Sequence, residues 1–264
     1  MAEKNKGRPE ILYKYRSLSK SKFESTRDIF LKNELYFPHP DQINDPFDCK
    51  IPPSWENITK ENILTHIGKS KNYGIDSAKI NLAINNVKCN SLETSVKAMR
   101  EENDKGHLRN VGVLSLSEKW LDILMWSHYA NSHKGICIGF DYTKLFFIFN
   151  GKPLWAVDIK YPESNQYPKR DYLDDPDTRV KLYLTKSLDW KYEKEWRIIF
   201  PEKGRTVQKF EPDAIVSVHL GCQISKEDKE TVINWCLQRK PKPKIYETTK
   251  DKSSYSLKEN EITY

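Results

Sequence analysis

The stretch GICIGFDY, residues 135–142, places Ile136, Ile138 and Phe140 at every second position. An alternation with a period of two predicts a β-strand that buries one face. Outward from it, apolar or alternating runs predict further strands at residues 11–15, 34–37, 111–117, 155–161, 193–200, 214–220, 244–248 and 255–262. Helical spacing of apolar residues predicts helices at residues 20–32, 119–131 and 225–238.

The order of these elements indicates the fold class. Strands and helices alternate without regular strand–helix–strand units, and no Gly-x-Gly-x-x-Gly run is present. We therefore expect an α+β fold, one domain over residues 1–264, with a mixed or antiparallel central sheet. Residues 58–105 have helical patterning and predict a helical insertion or lid. Residues 212–264 predict a C-terminal strand–helix–strand unit.

The composition favours a cytoplasmic protein. The five cysteines form no Cys-x-x-Cys pair and have no histidine at a metal-ligand spacing, so they predict free thiols in a reducing compartment. The N-terminal run MAEKNKGRPE lacks the apolar segment of a signal peptide, and the longest apolar runs are too short to span a membrane. A net charge of +7 suits a polyanionic partner or a phosphate-bearing small molecule, and equally a soluble surface rich in lysine.

The run YEKEWRIIF, residues 192–200, is the strongest candidate for chemistry. On a strand, Glu193, Glu195 and Arg197 share one face. Trp196, Ile198 and Phe200 share the other and form a core face. Carboxylates two residues apart on one face lie about 7 Å apart. One carboxylate can then act on a substrate while the other orients a second group. The alternative is a solvated strand face with ordinary Glu–Arg pairs.

Three further segments carry polar candidates. Ser115 and Ser117 share one face of a predicted strand, where two hydroxyls suit a ribose, a phosphate or a backbone group. Arg16 follows the first strand, and arginine is the preferred fork for phosphate. The ordinary alternative for the two serines is the end of a strand. For the other candidates it is a core or surface position without a role in binding. The other cleft candidates lie in the turn at residues 44–48 and the helix at residues 119–131; they are Asn44, Asp45, Trp126, His128 and Tyr129.

Five blocks of the chain form a recognisable series: LYKYRSL from residue 12, ELYFPHPDQINDPFDC from residue 34, VLSLSE from residue 113, LMWSHYANSHKGICIGF from residue 124 and LDWKYEKEWRIIF from residue 188. Together these blocks resemble a bacterial family known as domain of unknown function 2971. The resemblance implies an association with phage defence or abortive infection.

The order of three motifs also resembles the plan of ADP-ribosyltransferases, which implies that fold and NAD as the substrate. By this resemblance Arg16 binds a dinucleotide phosphate, and the Ser-x-Ser motif at residues 115–117 shapes the nicotinamide pocket. The resemblance makes Glu195 catalytic and lets Glu193 activate the acceptor. Tyr129 and Arg197 are further candidates for binding NAD. The chain departs from the plan at Leu116, where the transferases usually have threonine, and in its long helical segment.

Three functions stay open on the sequence alone. The first is an enzyme that transfers ADP-ribose from NAD to a nucleic acid or protein acceptor, or hydrolyses NAD, with or without an activating partner. The second is a nuclease that acts on RNA or DNA, either without a metal or with Mg²⁺ bound by acidic residues near His128; its acids are Asp45, Asp48, Glu193 and Glu195. The third is a nucleotide- or protein-binding sensor without turnover, whose rings stack on a base or a partner; its rings are Trp120, Trp126, Tyr129 and Trp155.

Overall fold

The computed structural model describes residues 7–52, 54–69, 76–106, 110–164, 166–168 and 181–263. The strands are β1 (Ile11–Arg16), β2 (Glu34–Phe37), β3 (Gly112–Ser117), β4 (Ile136–Asp141), β5 (Phe147–Phe149), β6 (Lys152–Leu154), β7 (Val157–Asp158), β8 (Glu195–Phe200), β9 (Thr206–Lys209), β10 (Ile215–Leu220), β11 (Lys244–Lys250) and β12 (Leu257–Ile262). The helices are α1 (Phe23–Leu31), α2 (Lys60–Lys69), α3 (Ser77–Cys89), α4 (Leu92–Gly106), α5 (Ile123–Tyr129) and α6 (Lys226–Leu237).

An eight-stranded mixed sheet forms the centre, in the order β12-β11-β10-β4-β1-β3-β8-β7. Its pairs are antiparallel except β10–β11, which is parallel. A parallel pair needs a crossover connection, and α6 lies between these two strands in the chain. The expected α+β fold with a mixed sheet is therefore confirmed. Two further pairs, β2–β9 and β5–β6, lie outside the sheet.

The two faces of the sheet are packed differently. Tyr13 pairs with Ser117, and Ser117 pairs with Glu195, so these three side chains lie on one face, which we name the front face. The back face carries the alternate residues of the same strands, among them Leu12 and Leu116. It forms the main apolar core, to which α1 and α6 also contribute. The front face combines aromatic packing beneath α5 with charged and hydroxyl side chains.

The predicted helical segment at residues 58–105 is confirmed as helical where the structure describes it, as α2, α3 and α4. Residues 70–75 lie outside the described residues. Ile63 of α2 and Ile80 of α3 are buried, as expected for the apolar side of each helix. The role of this segment as a lid stays a prediction. None of the described helices combines the length and the apolarity needed to cross a membrane.

Several element boundaries differ from the sequence prediction. The strand predicted from residue 193 begins at Glu195, because a 3₁₀-helix (Leu188–Glu193) precedes it and Lys194 has a left-handed backbone. The helix predicted at residues 119–131 is shorter, because Asp122 accepts the backbone N–H groups of Leu124 and Met125 and so caps α5. The strand predicted at residues 155–161 is reduced to β7.

We predict that Gly135→Ala destabilises the fold by about 1–3 kcal/mol, the usual range for overpacking. A Cβ at residue 135 would lie 2.2 Å from the carbonyl oxygen of Arg16, which the β1–β4 pairing holds in place. Gly68→Ala in α2 is the matched control: its Cβ would meet nothing within 4 Å, so it should be neutral or stabilise by up to about 1 kcal/mol. Chemical denaturation measures both, and equal midpoints would contradict the packing argument.

Candidate functional site

A cluster of five charged side chains is buried beside the front face. Each is at most 5% exposed, so water screens their charges little. If all five are ionised, the three carboxylates exceed the two cations by one negative charge. The five residues are Asp48, Lys186, Glu193, Glu195 and Arg197. The interpretation of Glu193, Glu195 and Arg197 as a solvated strand face is therefore wrong.

Arg197 is the centre of this cluster. Its guanidinium donates to both carboxylate oxygens of Asp48, with Nη1 2.8 Å from Oδ1. It also donates to both oxygens of Glu195, at 2.7 Å from Nε and 3.0 Å from Nη2. A further bond of 2.8 Å reaches the carbonyl oxygen of Tyr183. A fully buried arginine needs such partners, because an unpaired buried charge is strongly unfavourable.

Lys186 bridges the two glutamates. Its Nζ lies 2.6 Å from Glu193 Oε2 and 3.0 Å from Glu195 Oε2. Burial disfavours the ammonium, but the carboxylates of Glu195 and Glu193 outweigh it and raise the pKa of Lys186. Sequence reasoning missed this residue, because it lies outside any periodic pattern, just before the LDWKYEKEWRIIF block.

Local backbone geometry brings Glu193 to the cluster although it precedes β8. Ser187 caps the 3₁₀-helix that ends at Glu193, and left-handed Lys194 then turns the chain into the strand. The hydroxyl of Ser117 donates to the carbonyl oxygen of Glu193 at 2.6 Å. The predicted front-face serine thus fixes the backbone that carries one of the two predicted glutamates.

The two glutamates have opposite electrostatic environments. At Glu195 burial favours the neutral form, but Arg197 and Lys186 outweigh it and lower its pKa to about 2, with help from the Ser115 hydroxyl. At Glu193 burial raises the pKa, the charge of Glu195 adds to that effect, and Lys186 only partly opposes it. Glu195 is therefore a fixed anion, whereas Glu193 is the carboxylate that can exchange a proton nearer to neutral pH.

Tyr129 contacts the Glu193 carboxylate on the side that faces solvent. Its hydroxyl donates to Glu193 Oε1 at 2.6 Å, and Asn44 Nδ2 donates to that hydroxyl at 3.5 Å. Tyr129 is half-buried and Asn44 is exposed, so this is the side of the carboxylate nearest to solvent. Burial and the adjacent Glu193 charge raise the pKa of Tyr129, which keeps its hydroxyl a donor.

A pocket of about 280 Å³ opens beside Lys186. It combines apolar and aromatic walls with a few polar groups, the usual make-up of a small-molecule site. The apolar lining comes from Phe47, Ile51, Pro162, Tyr167 and Pro168, and the polar lining from Ser164, Gln166, Thr185, Lys186, Ser187 and Asp189.

Some predicted candidates lie elsewhere. Arg16 is three residues from Tyr13 on β1, so it points to the back face, where it donates to hydroxyls of α1. His128 is exposed, and its ring meets the Tyr129 ring edge-on. Asp45 accepts a hydrogen bond from the backbone N–H of Phe47 in its own turn. Trp126 is fully buried, with its ring N–H donated to the carbonyl oxygen of Trp120.

The acids that the nuclease alternative would use are not arranged as a metal centre. Within the described ranges, no group of three or more His, Cys, Asp and Glu side chains is placed to hold a metal ion. Of those acids, Asp48, Glu193 and Glu195 do converge. The ammonium of Lys186 and the guanidinium of Arg197 already occupy the space between them.

A second polar network resembles a hydrolytic triad. Ser217 Oγ lies 3.1 Å from His219 Nε2, and His219 Nδ1 lies 2.8 Å from Glu259 Oε2. A Cβ on Gly139 would lie 2.2 Å from Ser217 Oγ and 3.1 Å from the Tyr13 ring. The hydroxyl is thus packed against the sheet with no room for a substrate carbonyl, and this network ties β12 to the rest of the sheet.

Fold and site together define a mixed α+β protein with a buried carboxylate pair bridged by a lysine. Residues 125–198, which include Tyr129, Lys186 and both glutamates, match the model of a family described as Protein of unknown function (DUF2971). The resemblance stated from the sequence blocks is confirmed over these residues. No curated protein and no solved structure matches the chain.

We predict opposite effects of the two Glu→Gln changes on stability. The pKa of Glu195 lies below its ordinary 4.5, so the stability it contributes is present above pH 4.5 and is lost as pH falls towards about 2. Glu195→Gln should therefore lower the unfolding midpoint at pH 7, by an amount that shrinks through that window. The pKa of Glu193 is raised, so its ionised form opposes folding at pH 7, and Glu193→Gln should keep or raise the midpoint.

Thermal unfolding of both variants and the wild type across this pH range measures the difference. A larger loss at pH 7 for Glu193→Gln than for Glu195→Gln would contradict the assignment of environments.

Proposed function

We propose that this protein cleaves the bond between nicotinamide and ribose in NAD, as an ADP-ribosyltransferase or NAD hydrolase acting in antiviral defence. The observation that carries the proposal is the carboxylate pair, in which Glu195 is held ionised and Glu193 is held with a raised pKa. Titratable groups whose environments push their pKa values apart are typical of acid–base sites.

The reaction needs a carboxylate beside the ribose. The bond from ribose C1′ to the pyridine nitrogen breaks, and nicotinamide leaves with the bonding electrons. The sugar passes through an oxocarbenium-like state, as in glycoside hydrolysis, and a nearby carboxylate stabilises that positive charge. Oxygen of water, or a nucleophile of a macromolecular acceptor, then bonds to C1′ and gives up a proton.

Glu193 is the residue we assign to these steps. Among the residues that the structure describes, its Oε1 accepts from the Tyr129 hydroxyl alone, and a ribose hydroxyl can replace that donor. The net negative charge of the cluster favours a developing cation, and the raised pKa of Glu193 suits it to accept the released proton. The pocket beside Lys186, with its aromatic and proline walls, suits a planar pyridine ring.

This assignment reverses the roles that the transferase resemblance implies. There Glu195 is catalytic and Glu193 assists. Here Glu195 has both oxygens bonded by Arg197 and one also by Lys186. We therefore give Glu195, Arg197 and Ser115 the role of orienting Lys186 and Glu193. Arg16 on the back face has no part in this site, so the phosphates of NAD must be held by other groups.

We predict that the wild-type protein releases free nicotinamide from NAD and that Glu193→Gln lowers the rate by at least about 100-fold, the usual scale for loss of a general base. The matched control is Glu227→Gln on the exposed first turn of α6, which should keep the full rate. Chromatographic detection of nicotinamide measures all three proteins. Full activity in Glu193→Gln with an intact fold would overturn the proposal, and no release by the wild type would favour the sensor alternative.

A second prediction concerns pH. The Tyr129 hydroxyl stabilises the ionised form of Glu193, so Tyr129→Phe should raise the Glu193 pKa further. Because the ionised form is the active one in this proposal, the acidic limb of the rate profile should move to higher pH. Tyr129→Phe removes one oxygen and keeps the ring. Tyr192→Phe makes the same change at another tyrosine and is the control. A profile that does not move in Tyr129→Phe would contradict the role of this hydroxyl.

A further inference from the structure

Two neighbouring cations on β1 lack acidic partners. Lys14 and Arg16 are two residues apart and share the back face. Within the described ranges, no carboxylate oxygen lies within 4.0 Å of either charged group. The two cations of the buried cluster, Lys186 and Arg197, each contact two or more carboxylates instead.

Neutral groups hold both side chains in place. Arg16 donates from Nε to the Thr26 hydroxyl at 3.1 Å and from Nη2 to the Ser25 hydroxyl at 2.6 Å. Lys14 Nζ donates to the carbonyl oxygen of Ser115 at 3.0 Å. These contacts use one N–H of the ammonium and two of the guanidinium. The remaining N–H groups, including both on Arg16 Nη1, have no partner within the described residues, and both side chains are only half-buried.

This arrangement costs stability as it stands. Burial lowers the pKa of Lys14 to about 7, and the charge of Arg16 adds to the effect, only partly offset by Glu195. Burial also lowers the pKa of Arg16, to about 10. Cations that are partly removed from water without a counter-charge are unfavourable, and a bound anion would relieve that cost.

We infer that Lys14 and Arg16 form an anion site on the back face that binds a phosphoryl group, separate from the Glu193 site. Arg16 and the protonated form of Lys14 together carry two positive charges, which match a phosphate dianion, and a bound anion would itself favour the protonated form of Lys14. A carboxylate would neutralise only one of the two charges. A guanidinium held by hydroxyls presents its free N–H groups in the planar fork that suits phosphate oxygens, and the ammonium adds a point charge. The Ser25 hydroxyl donates to the carbonyl oxygen of Lys22 and accepts from Arg16, so the donors offered to the anion are the N–H groups of the two cations.

Isothermal titration calorimetry with inorganic phosphate and, separately, with AMP tests this site in the absence of NAD. The wild type should bind at least one of the two saturably, and preference between them tells whether the phosphate is free or esterified. Lys14→Met and Arg16→Gln should each weaken binding by about tenfold or more, because each loses a charged hydrogen bond. Lys152→Met, an exposed lysine of β6, is the control for net charge and should bind like the wild type.

If Arg16→Gln fails to fold, Lys14→Met still decides the test. It removes an ammonium that has no acidic partner, so the variant should fold with an unfolding midpoint that is unchanged or higher. No saturable binding of phosphate or AMP to the wild type would overturn the inference. So would equal affinity in the wild type and Lys14→Met. Since the readout is binding without NAD, neither result depends on whether Glu193 cleaves that molecule.

Discussion

The guanidinium of Arg197 is the constraint on which the rest of the site depends. It is fully buried and joins Asp48, from the segment after β2, to Glu195 of β8 and to the carbonyl oxygen of Tyr183. Three segments far apart in the chain are therefore held in one position by one planar group. Removing one partner of such a pair costs about 3–5 kcal/mol, because it leaves a buried charge uncompensated. The same fixed charges place Lys186 between the two glutamates.

The uneven charge of this cluster distinguishes it from a balanced ion pair. A balanced cluster would hold every carboxylate at a low pKa and would have no group free to exchange a proton. Here the two cations are shared among three acids, and Glu195 and Asp48 take the contacts of Arg197. Glu193 shares Lys186 with Glu195 and has the Tyr129 hydroxyl as its other partner. A site that keeps one carboxylate at a cost in stability is the pattern expected where function, not folding, selects the residue.

Alternation predicted that Glu195 and Arg197 share one face of β8 and that Ser115 and Ser117 share one face of β3, because side-chain period depends only on local geometry. The β3–β8 register then puts both pairs on the same face of the sheet. Alternation did not predict their burial, which depends on the segments carrying Asp48 and Lys186 packing over them. Glu193 reached the cluster through a 3₁₀-helix and not by strand alternation. Arg16 was assigned to the same site by the resemblance to ADP-ribosyltransferases, and one sequence does not give the cross-strand register that tests this. That register, Tyr13 opposite Ser117, sends Arg16 to the back face.

Ser115 links the two faces of the sheet. Its carbonyl oxygen accepts a hydrogen bond from the ammonium of Lys14 on the back face. Its hydroxyl stabilises the ionised Glu195 on the front face. An anion beside Lys14 would strengthen its charge and its bond to that carbonyl. Glu195 in turn raises the pKa of Lys14, so each charge favours the other across the strand. Linkage is reciprocal for binding free energies. An anion site on the back face would therefore also bias the electrostatics of the carboxylate pair, without any contact between the two ligands.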